Sequence, residues 1–362
     1  MTTGESSKPP FRNVKIVGSG LIGSSIGLAL TALGIRVSMV DVDETAEKLA
    51  QDLMATPSFD LADLVILALP SSELSSVLDR EFELNPKAIF MDIGSIKVKP
   101  LLDVSTSKMA SSRFLATHPM AGREVGGVSG ARADLFKSRS WIYAPHDLNG
   151  GAPDGDVIDG ALWVIESLGA TAIALSAPEH DRAVALVSHL PQVVSSLLAA
   201  QLNGAAGQHL ELAGAGLRDM VRIAGSPPPL WDEILSANSA ALLPLLINLQ
   251  SDLGRIISDL GDGNSVSQFI KDGNAGKAAI PGKHGGKPRE YSQLPVVIED
   301  KPGQLAALFD ECAKVKVNVE DLTIEHSPGQ FTGLITLALS AGDAKILQDH
   351  LTATGWKVHS PR

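Results

Sequence analysis

Three glycines at fixed spacing, Gly18, Gly20 and Gly23, stand between a β-rich run, VKIVG, and a helical run, LIGSSIGLALTAL. In this pattern the first glycine makes a tight turn, the second lets the backbone approach a pyrophosphate, and the third packs the helix against the strand. Leu21 and Ile22 open the helix, whose N-terminal amides favour an anion. The segment predicts a dinucleotide site formed by these five residues; the alternative is a glycine turn without a ligand.

An acidic residue ends the next β-rich run at the position where a ribose would lie. The run VSMVD ends in Asp41, 18 residues after Gly23. A carboxylate there accepts hydrogen bonds from ribose hydroxyls and repels a 2′-phosphate. Because no arginine follows Asp41, the sequence favours NAD over NADP as the cofactor.

Two further polar residues follow predicted strands of the same region. Ser95 lies in DIGSIK, after the run AIFMD, and His118 lies in THPMAG, at the end of FLAT. Ligands of open α/β sheets bind outside the carboxyl ends of the strands, so Ser95 can reach a substrate or the nicotinamide. His118 can accept a proton from a hydroxyl as hydride leaves the same carbon. The alternatives are a polar loop serine and a hydrogen-bonded structural histidine.

Five candidates lie in the region of helical periodicity that follows. On a straight helix His180 and His189 point to opposite sides, which makes them poor partners for one metal, whereas His189 and Gln192 share a face. Asp219 and Arg222 also share a face, and arginine binds carboxylates through two hydrogen bonds. The alternatives are a surface residue for His180, a packing or interface role for His189 and a surface ion pair for Arg222. No metal-ligand spacing occurs, so we expect no metal.

Composition limits the class of protein. The chain has 362 residues, a net charge of -11 and one cysteine, Cys312. This length suggests two or three domains, and the acidity without a basic patch argues against nucleic acid as a partner. A disulfide framework is excluded. The polar start and the lack of an uninterrupted apolar run of about 18 residues predict a soluble, cytoplasmic protein without a membrane segment.

The pattern of elements predicts three domains. Residues 11–177 alternate short β-rich and helical runs, typical of a Rossmann-type α/β domain with a mostly parallel sheet. Residues 178–270 read as all helical, and their two long apolar runs suggest helices buried between two subunits. Residues 271–292, which include His284, read as a linker. Residues 293–362 have the order βαββαβ, which predicts a ferredoxin-like α+β sandwich.

Taken together, the segments GSGLIGSSIGLAL, DIGSIK, THPMAG, EHDRAVALVSHLP and LRDMVRIAGSPPPLW resemble the prephenate dehydrogenase family, in the family's order. The resemblance covers residues 13–270. The C-terminal domain resembles an ACT domain, whose opening turn is EDKPGQL. The resemblance implies an NAD-dependent oxidative decarboxylation of prephenate in tyrosine biosynthesis, a homodimer formed by the helical domain, and an amino-acid effector, tyrosine, bound near Gly303.

The resemblance also implies roles for single residues. His118 matches the histidine that takes the proton of the ring hydroxyl, and Ser95 the serine that helps to hold that hydroxyl. Arg222 matches the arginine that binds a substrate carboxylate, and Asp219 an acidic residue near it. His180 and His189 match histidines of the second domain, on the substrate side.

One departure leaves the substrate open. Many relatives have a histidine where this chain has Gln192, at a position that faces the substrate side chain, so both prephenate and its amino-acid counterpart arogenate remain candidates. A hydroxy-acid dehydrogenase is disfavoured because residues 178–270 contain no lysine. A non-catalytic sensor of nucleotide and amino acid is the alternative from another class, and the joint occurrence of Ser95, His118 and Arg222 speaks against it.

Overall fold

The structure is a computed structural model, and it describes residues 9–107, 111–123, 125–280, 291–326 and 331–361. The chain divides into two compact units, Met1–Asp252 and Leu253–Arg362. Each unit has its own hydrophobic core.

A single sheet forms the centre of the first unit. Within the described residues its strands are β1 (Asn13–Val17), β2 (Arg36–Val40), β3 (Leu64–Leu67), β4 (Ile89–Asp92), β5 (Phe114–Pro119), β6 (Ser140–Ala144) and β7 (Thr171–Ala174). Their order is β2-β1-β3-β4-β5-β6-β7, and every neighbouring pair is parallel except β5 and β6. The predicted mostly parallel sheet is confirmed. The sequence analysis missed β7, because this four-residue edge strand is mostly exposed and lacks a buried apolar run.

Helices cover both faces of this sheet. They are α1 (Leu21–Ala32), α2 (Glu44–Met54), α3 (Leu74–Leu84), α4 (Val98–Thr106) and α5 (Gly155–Ser167). Every residue of β3 and β4 is buried. Successive side chains of β3 alternate between two clusters, with Leu64 and Ile66 in one and Val65 and Leu67 in the other. This alternation is what a strand covered on both faces requires.

The region after the sheet is helical, as predicted. Its helices are α6 (Ala177–Val184), α7 (Leu190–Ala200), α8 (Gly207–Leu210), α9 (Ala215–Val221), α10 (Pro228–Ala237), α11 (Ser239–Gly261) and α12 (Ser267–Ala278). Ser176 caps α6 by accepting from the amide of Glu179, whose carboxylate binds back to the cap residue. This reciprocal pair of hydrogen bonds is a capping box, and it fixes the start of the helical region.

A π turn, Ala185–His189, joins α6 to α7. It directly precedes Leu190 and Pro191, and a proline has no N–H and a ring that collides with the carbonyl four residues earlier in a regular α-helix. The wider turn removes that conflict and lets the helical path continue. It also changes the angle between residues on either side of it, so a straight helix is a poor guide to where His180 and His189 point.

Two helical stretches expose much apolar surface. By length and composition alone, Ala177–Ala200 and α11 are each apolar enough to cross a membrane, and their most apolar windows are only 28% and 6% buried. The exposed side chains include Leu186, Val187, Leu197, Leu243, Ile247 and Ile257. The sequence predicted no membrane segment because it has no long uninterrupted apolar run. Polar residues interrupt both stretches, but their mean hydropathy is still high enough for a membrane span.

The second unit contains a small antiparallel sheet covered by helices. Its described elements after α12 are β8 (Ser292–Glu299), α13 (Gln304–Lys314), β9 (Asp321–His326), β10 (Thr332–Leu339), α14 (Ala341–Ala353) and β11 (Lys357–Val358). The strand order is β11-β8-β10-β9, with antiparallel neighbours throughout. Leu294, Val296, Leu308, Leu347 and Leu351 are fully buried in its core. The predicted βαββαβ order is confirmed.

Residues 271–292 were predicted to form a linker, but in the structure a helix occupies the start of this range and a strand begins at its end. Residues 271–278 continue α12, and β8 already begins at Ser292. The stretch is rich in glycine and lysine and has no apolar period. The helical region was therefore predicted to end too early. Residues 281–290, with His284, lie outside the described residues. The boundary between the two units falls within α11 rather than in this segment.

Candidate functional site

The glycine turn between β1 and α1 has the geometry of a phosphate-binding turn. Gly18 has φ of +110°, and a Cβ there would lie 2.0 Å from the carbonyl oxygen of Ala68. A Cβ on Gly23 would lie 2.2 Å from the carbonyl oxygen of Gly18, whereas one on Gly20 would meet nothing within 4 Å. Gly20 caps α1 without a side chain, so no side chain occupies the space before the first amides of the helix.

A buried polar atom without a partner marks the same turn. The Oγ of Ser19 is buried and has no hydrogen-bond partner among the described residues. An unpaired buried hydroxyl costs free energy unless a ligand pairs with it. The open space at Gly20 and the unpaired hydroxyl therefore fit a bound pyrophosphate group, held by Gly20 and by the first residues of α1, Leu21 and Ile22.

Asp41 lies next to the glycine turn. Its Oδ2 accepts from the amide of Ser19 at 2.5 Å, and its Oδ1 accepts from the amide of Asp43 at 3.0 Å. Glu47 approaches from α2 and accepts from the amide of Asp41. These carboxylates make the end of β2 negative, which suits the uncharged ribose hydroxyls of NAD and opposes a 2′-phosphate.

His118 lies near the carboxyl end of β5 and is joined to a second histidine. Its Nδ1 lies 2.9 Å from Nε2 of His180, and Nδ1 of His180 lies 2.8 Å from Oδ1 of Asp181. The rings of the two histidines meet edge to face at 5.1 Å. His118 is half-buried, whereas His180 and Asp181 are buried. The chain Asp181–His180–His118 therefore runs from the protein interior towards the rim of the sheet.

The loop after β4 holds Asp181 in place. The carboxylate of Asp181 accepts from the amides of Lys97 at 2.7 Å and Val98 at 2.9 Å, which begin α4. Asn238, at the end of α10, donates to the carbonyl oxygen of Asp181 and contacts Nδ1 of His189 at 3.1 Å. One amide thus links the segment of His180 to the ring of His189. The π turn lies between the two histidines, so the angle between them is not that of the straight helix assumed in the sequence analysis.

A buried ion pair lies beneath His118. Nζ of Lys97, with no exposed surface, contacts Oδ2 of Asp92 and donates to the carbonyl oxygen of Thr117 at 2.5 Å. Asp92 in turn accepts from the amide of Thr117, and Trp141 donates to the hydroxyl of Thr117. Burial raises the pKa of Asp92 and lowers that of Lys97, while their mutual attraction opposes both shifts. The residue that precedes His118 is thereby fixed through three of its polar atoms.

The surroundings of His118 keep its imidazole neutral. Burial is the largest cause, followed by the nearby His180, Lys97 and His189, and together they hold the pKa of His118 well below its usual value. Burial also lowers the pKa of His189. A neutral imidazole at neutral pH is the form that can accept a proton from a substrate.

A second group of candidates lines a cavity of about 870 Å³ in the first unit. Arg222 and Arg123 both lie on its wall, and Ser226 lies beside them. The hydroxyl of Ser226 donates to Oε1 of Gln192 at 3.3 Å, and Gln192 is itself buried behind this wall. The structure thus brings Arg222 and Gln192 together. Arg123 follows the motif THPMAG directly, and the sequence analysis missed it because one exposed arginine in a loop has no distinctive spacing.

Ser95 and Asp219 belong neither to the hydrogen-bonded chain of His118 nor to the described lining of the cavity. Ser95 is half-buried in the loop between Asp92 and Lys97, and Asp219 is exposed on α9, three residues before Arg222. Their roles stay predictions, as do substrate contacts of His180 and His189. Among the described residues no cluster of histidine, cysteine and acidic side chains is arranged to hold a metal ion.

Glu233 ties the helical region to the nucleotide-binding sheet. From α10 its Oε1 accepts from the amides of Ser71 and Ser72, in the loop after β3. That loop follows Ala68, whose carbonyl lies against Gly18.

The sequence analysis missed four residues that hold the site together: Glu233, Asp181, Lys97 and Asn238. Lys97 and Asp181 stood within the quoted motifs, and a buried charge in such a motif is the signal that could have found them.

Comparison with known proteins shows to which protein family the chain is related. The nucleotide-binding domain of prephenate dehydrogenase matches residues 26–172, and its dimerisation domain matches residues 176–267. The chain is 28% identical to probable prephenate dehydrogenase NovF of Streptomyces niveus, over 97% of this chain and 100% of that protein. It is also 28% identical to cyclohexadienyl dehydrogenase of Zymomonas mobilis, over 77% and 99%.

A solved structure shares the fold. Prephenate dehydrogenase from Aquifex aeolicus, in complex with hydroxyphenyl propionate and NAD+, superposes with a TM-score of 0.65 at 23% identity. The match covers 75% of this chain and 99% of that one.

A mostly parallel sheet with a phosphate-binding turn at the carboxyl ends of its strands is typical of dinucleotide-dependent dehydrogenases. With both domain models matched in order, the chain belongs to the prephenate dehydrogenase family and is an NAD-dependent oxidoreductase.

We expect Gly20→Val to weaken NAD binding without unfolding the protein. The added side chain enters open space, so the turn is retained, but it fills the approach of the pyrophosphate. Hydrogen bonds to a charged group contribute about 1.5–3 kcal/mol, so we expect Kd for NAD to rise about tenfold to a hundredfold. Titration calorimetry measures this change. Gly155→Val, also in open space but at the start of α5, is the control and should leave Kd unchanged.

Proposed function

We propose that this protein catalyses the NAD-dependent oxidative decarboxylation of prephenate to 4-hydroxyphenylpyruvate, a step of tyrosine biosynthesis. The observation that carries the proposal is the neutral His118, held by His180 at the edge of the sheet where the glycine turn also lies. Arogenate, in which an amino acid replaces the keto acid, is the alternative substrate. A non-catalytic sensor is a weaker alternative, because it has no need of a buried, oriented base.

The residues of the site perform this reaction by positioning and by proton transfer. NAD+, when bound at the glycine turn, supplies the acceptor for a hydride from the carbon that bears the ring hydroxyl. His118 takes the hydroxyl proton as that carbon becomes a carbonyl carbon. The bond to the ring carboxylate then breaks, its electron pair enters the ring and CO2 leaves. The oxygen regains a proton as the ring becomes aromatic, so the overall reaction releases no proton.

The arginine-lined cavity supports a substrate with two carboxylates. Arg123 and Arg222 lie on one wall, and a guanidinium group binds a carboxylate through two parallel hydrogen bonds. Gln192 reaches the same wall through Ser226 with a neutral amide. It can hydrogen-bond either a keto acid or an amino acid, so the choice between prephenate and arogenate rests on the assay below. Ser95 is proposed to help hold the ring hydroxyl, and Asp219 to act near Arg222.

We propose that the protein works as a cytoplasmic homodimer formed by its helical region. The matched model of residues 176–267 is a dimerisation domain. The apolar side chains that Ala177–Ala200 and α11 expose in one chain, such as Val187 and Ile247, suit burial between two subunits. A dimer interface accounts for the apolar surface of both helical stretches without a membrane.

We propose further that the second unit, like an ACT domain, binds an amino-acid effector, tyrosine, near Gly303. Gly303 has φ of +88° and caps α13. Gln304, directly after it, lines a cavity of about 260 Å³ together with Glu299, Trp356 and Lys357. Drug-sized ligands occupy about 300–1,000 Å³, so this cavity suits a smaller molecule. Its acidic, basic and aromatic walls match the amino, carboxylate and ring groups of tyrosine.

The first test is turnover, followed by the absorbance of NADH, with prephenate or arogenate. We expect activity with prephenate. His118→Asn should lower kcat by about 10²–10⁴-fold, the usual contribution of a general base, while NAD binding stays intact. Activity with arogenate alone would transfer the proposal to that substrate. Inactivity with both, in protein that still binds NAD, would contradict catalysis and favour the sensor.

We expect Arg222→Gln to raise KM for prephenate more than it lowers kcat, since this side chain binds substrate rather than reacting atoms. The loss of a charged hydrogen bond, about 1.5–3 kcal/mol, corresponds to a rise of about tenfold to a hundredfold. Arg218→Gln is the matched control, because Arg218 lies on α9, one turn before Arg222 and outside the described cavity lining. Equal effects of both substitutions would assign Arg222 a general surface role.

Equilibrium dialysis of the whole protein with labelled tyrosine tests the effector site. We expect binding that Gln304→Ala weakens and that Gln293→Ala, an exposed change on β8 outside the described cavity lining, leaves intact. Absence of tyrosine binding would remove the proposed effector. Binding that neither substitution changes would place the tyrosine site elsewhere.

A further inference from the structure

We propose that His180 and Asp181 are positioning residues that hold His118 in the tautomer with its proton on Nδ1, so that Nε2 is the proton acceptor. The proposal rests on the proposed function of His118 as the base and deepens it. It concerns two buried side chains, of which His180 contacts the ring of His118, and it assigns them a task in the reaction.

Asp181 fixes the first hydrogen of the chain. Its two carboxylate oxygens already accept from the backbone amides of Lys97 and Val98, so the group acts as an acceptor. Nδ1 of His180, at 2.8 Å from Oδ1, must therefore carry a proton and donate it. In the neutral form of His180 this is its only N–H, which leaves Nε2 with a lone pair.

The second hydrogen follows from the first. Nε2 of His180 lies 2.9 Å from Nδ1 of His118 and can only accept, so Nδ1 of His118 must donate. Nε2 of His118 is then the nitrogen with a free lone pair. In the opposite tautomer, the lone pairs of Nδ1 of His118 and Nε2 of His180 would face each other at 2.9 Å. That tautomer would also present an N–H to the substrate hydroxyl, so His118 could not accept the hydroxyl proton.

Burial shows that His180 acts through His118. The ring of His180 has no exposed surface, whereas His118 is half-buried. A substrate that enters from solvent can therefore meet His118 but not His180. When His118 gains a proton at Nε2, its new charge lies two hydrogen bonds from the carboxylate of Asp181, and this arrangement stabilises the imidazolium.

Several charged or titratable groups face His118 and oppose that charge. They are Lys97 from the loop after β4, His189 from the π turn and, when it is itself protonated, His180 from α6. The carboxylate of Asp181 lies one hydrogen bond further away, on His180. The net effect keeps the pKa of His118 in the free enzyme below 6.5, the usual value. In the wild type, the acid limb of kcat/KM against pH should lie below that value, because activity falls only when His118 becomes protonated.

Two substitutions of His180 separate orientation from mere packing. The glutamine side chain of His180→Gln places an amide oxygen near the former Nε2 and can still accept from His118, whereas His180→Leu fills the space without an acceptor. We expect His180→Leu to lower kcat by about 10²–10⁴-fold with little change in KM, and His180→Gln to recover activity to within about tenfold of the wild type. A purely structural role predicts equal losses, which would overturn the proposal.

Nuclear magnetic resonance of the ligand-free protein, labelled with 15N-histidine, reads the tautomer directly. His118→Asn identifies the signals of His118. We expect an Nδ1–H tautomer in the wild type and in His180→Gln, and a mixture of tautomers in His180→Leu. An Nε2–H tautomer in the wild type would contradict the proposal. NAD binding and circular dichroism show whether each variant is folded.

This readout distinguishes the two ways of failing. An Nδ1–H tautomer in a protein that turns over neither prephenate nor arogenate would reject the proposed function and leave the orientation of His118 intact. Turnover by an enzyme whose His118 carries its proton on Nε2 would reject the role of His180 and Asp181 alone.

Discussion

The carboxylate of Asp181 accepts hydrogen bonds from three donors that belong to different parts of the fold. Two are the amides that begin α4, at the edge of the nucleotide-binding sheet, and the third is the ring of His180 in the helical region. A buried carboxylate is costly unless its oxygens are paired. The three donors offset that cost only when sheet and helices meet in one geometry. The orientation of His118 depends on this junction.

A second buried charge, that of Lys97, also helps to fix the position of His118. Lys97 pairs with Asp92 and also donates to Thr117, the neighbour of His118, while its own amide serves Asp181. An ion pair of this kind contributes little net stability relative to apolar packing, yet removal of either partner leaves an unpaired buried charge. The pair therefore fixes geometry more than it stabilises the fold. It connects the end of β4, the end of β5 and the start of α4 at one point.

Much of this architecture follows from local patterns in the sequence. The buried strands β3 and β4 are short apolar runs, and the glycine spacing predicts the turn before α1. The βαββαβ order of the second unit is equally local. These features depend on neighbouring residues, so spacing alone predicts them. The edge strand β7 and the end of α12 were missed because their residues lack a period.

The site itself is harder to predict from the sequence than the fold is. His118 and Arg222 stand out by type and motif, but the partners that give His118 its properties are remote in the chain. Lys97 and Asp181 are 84 residues apart, and Asn238 is 57 residues beyond Asp181. The π turn before Pro191 also changes the angle between His180 and His189 from that of a straight helix. Long-range pairing and backbone irregularity are properties of the folded chain, which a periodicity argument does not contain.

The distance in sequence between Asp181 and the amides it binds also divides the site between two parts of the chain. The strands β1 to β6 and the helices up to α5 lie in the first half of the chain, and with them the turn that suits a nucleotide. His118 belongs to that half, but its hydrogen-bonding partner arrives only when α6 packs against the start of α4. The turn that suits a nucleotide is therefore built from the first half of the chain alone, whereas the orientation of the proton acceptor also needs α6.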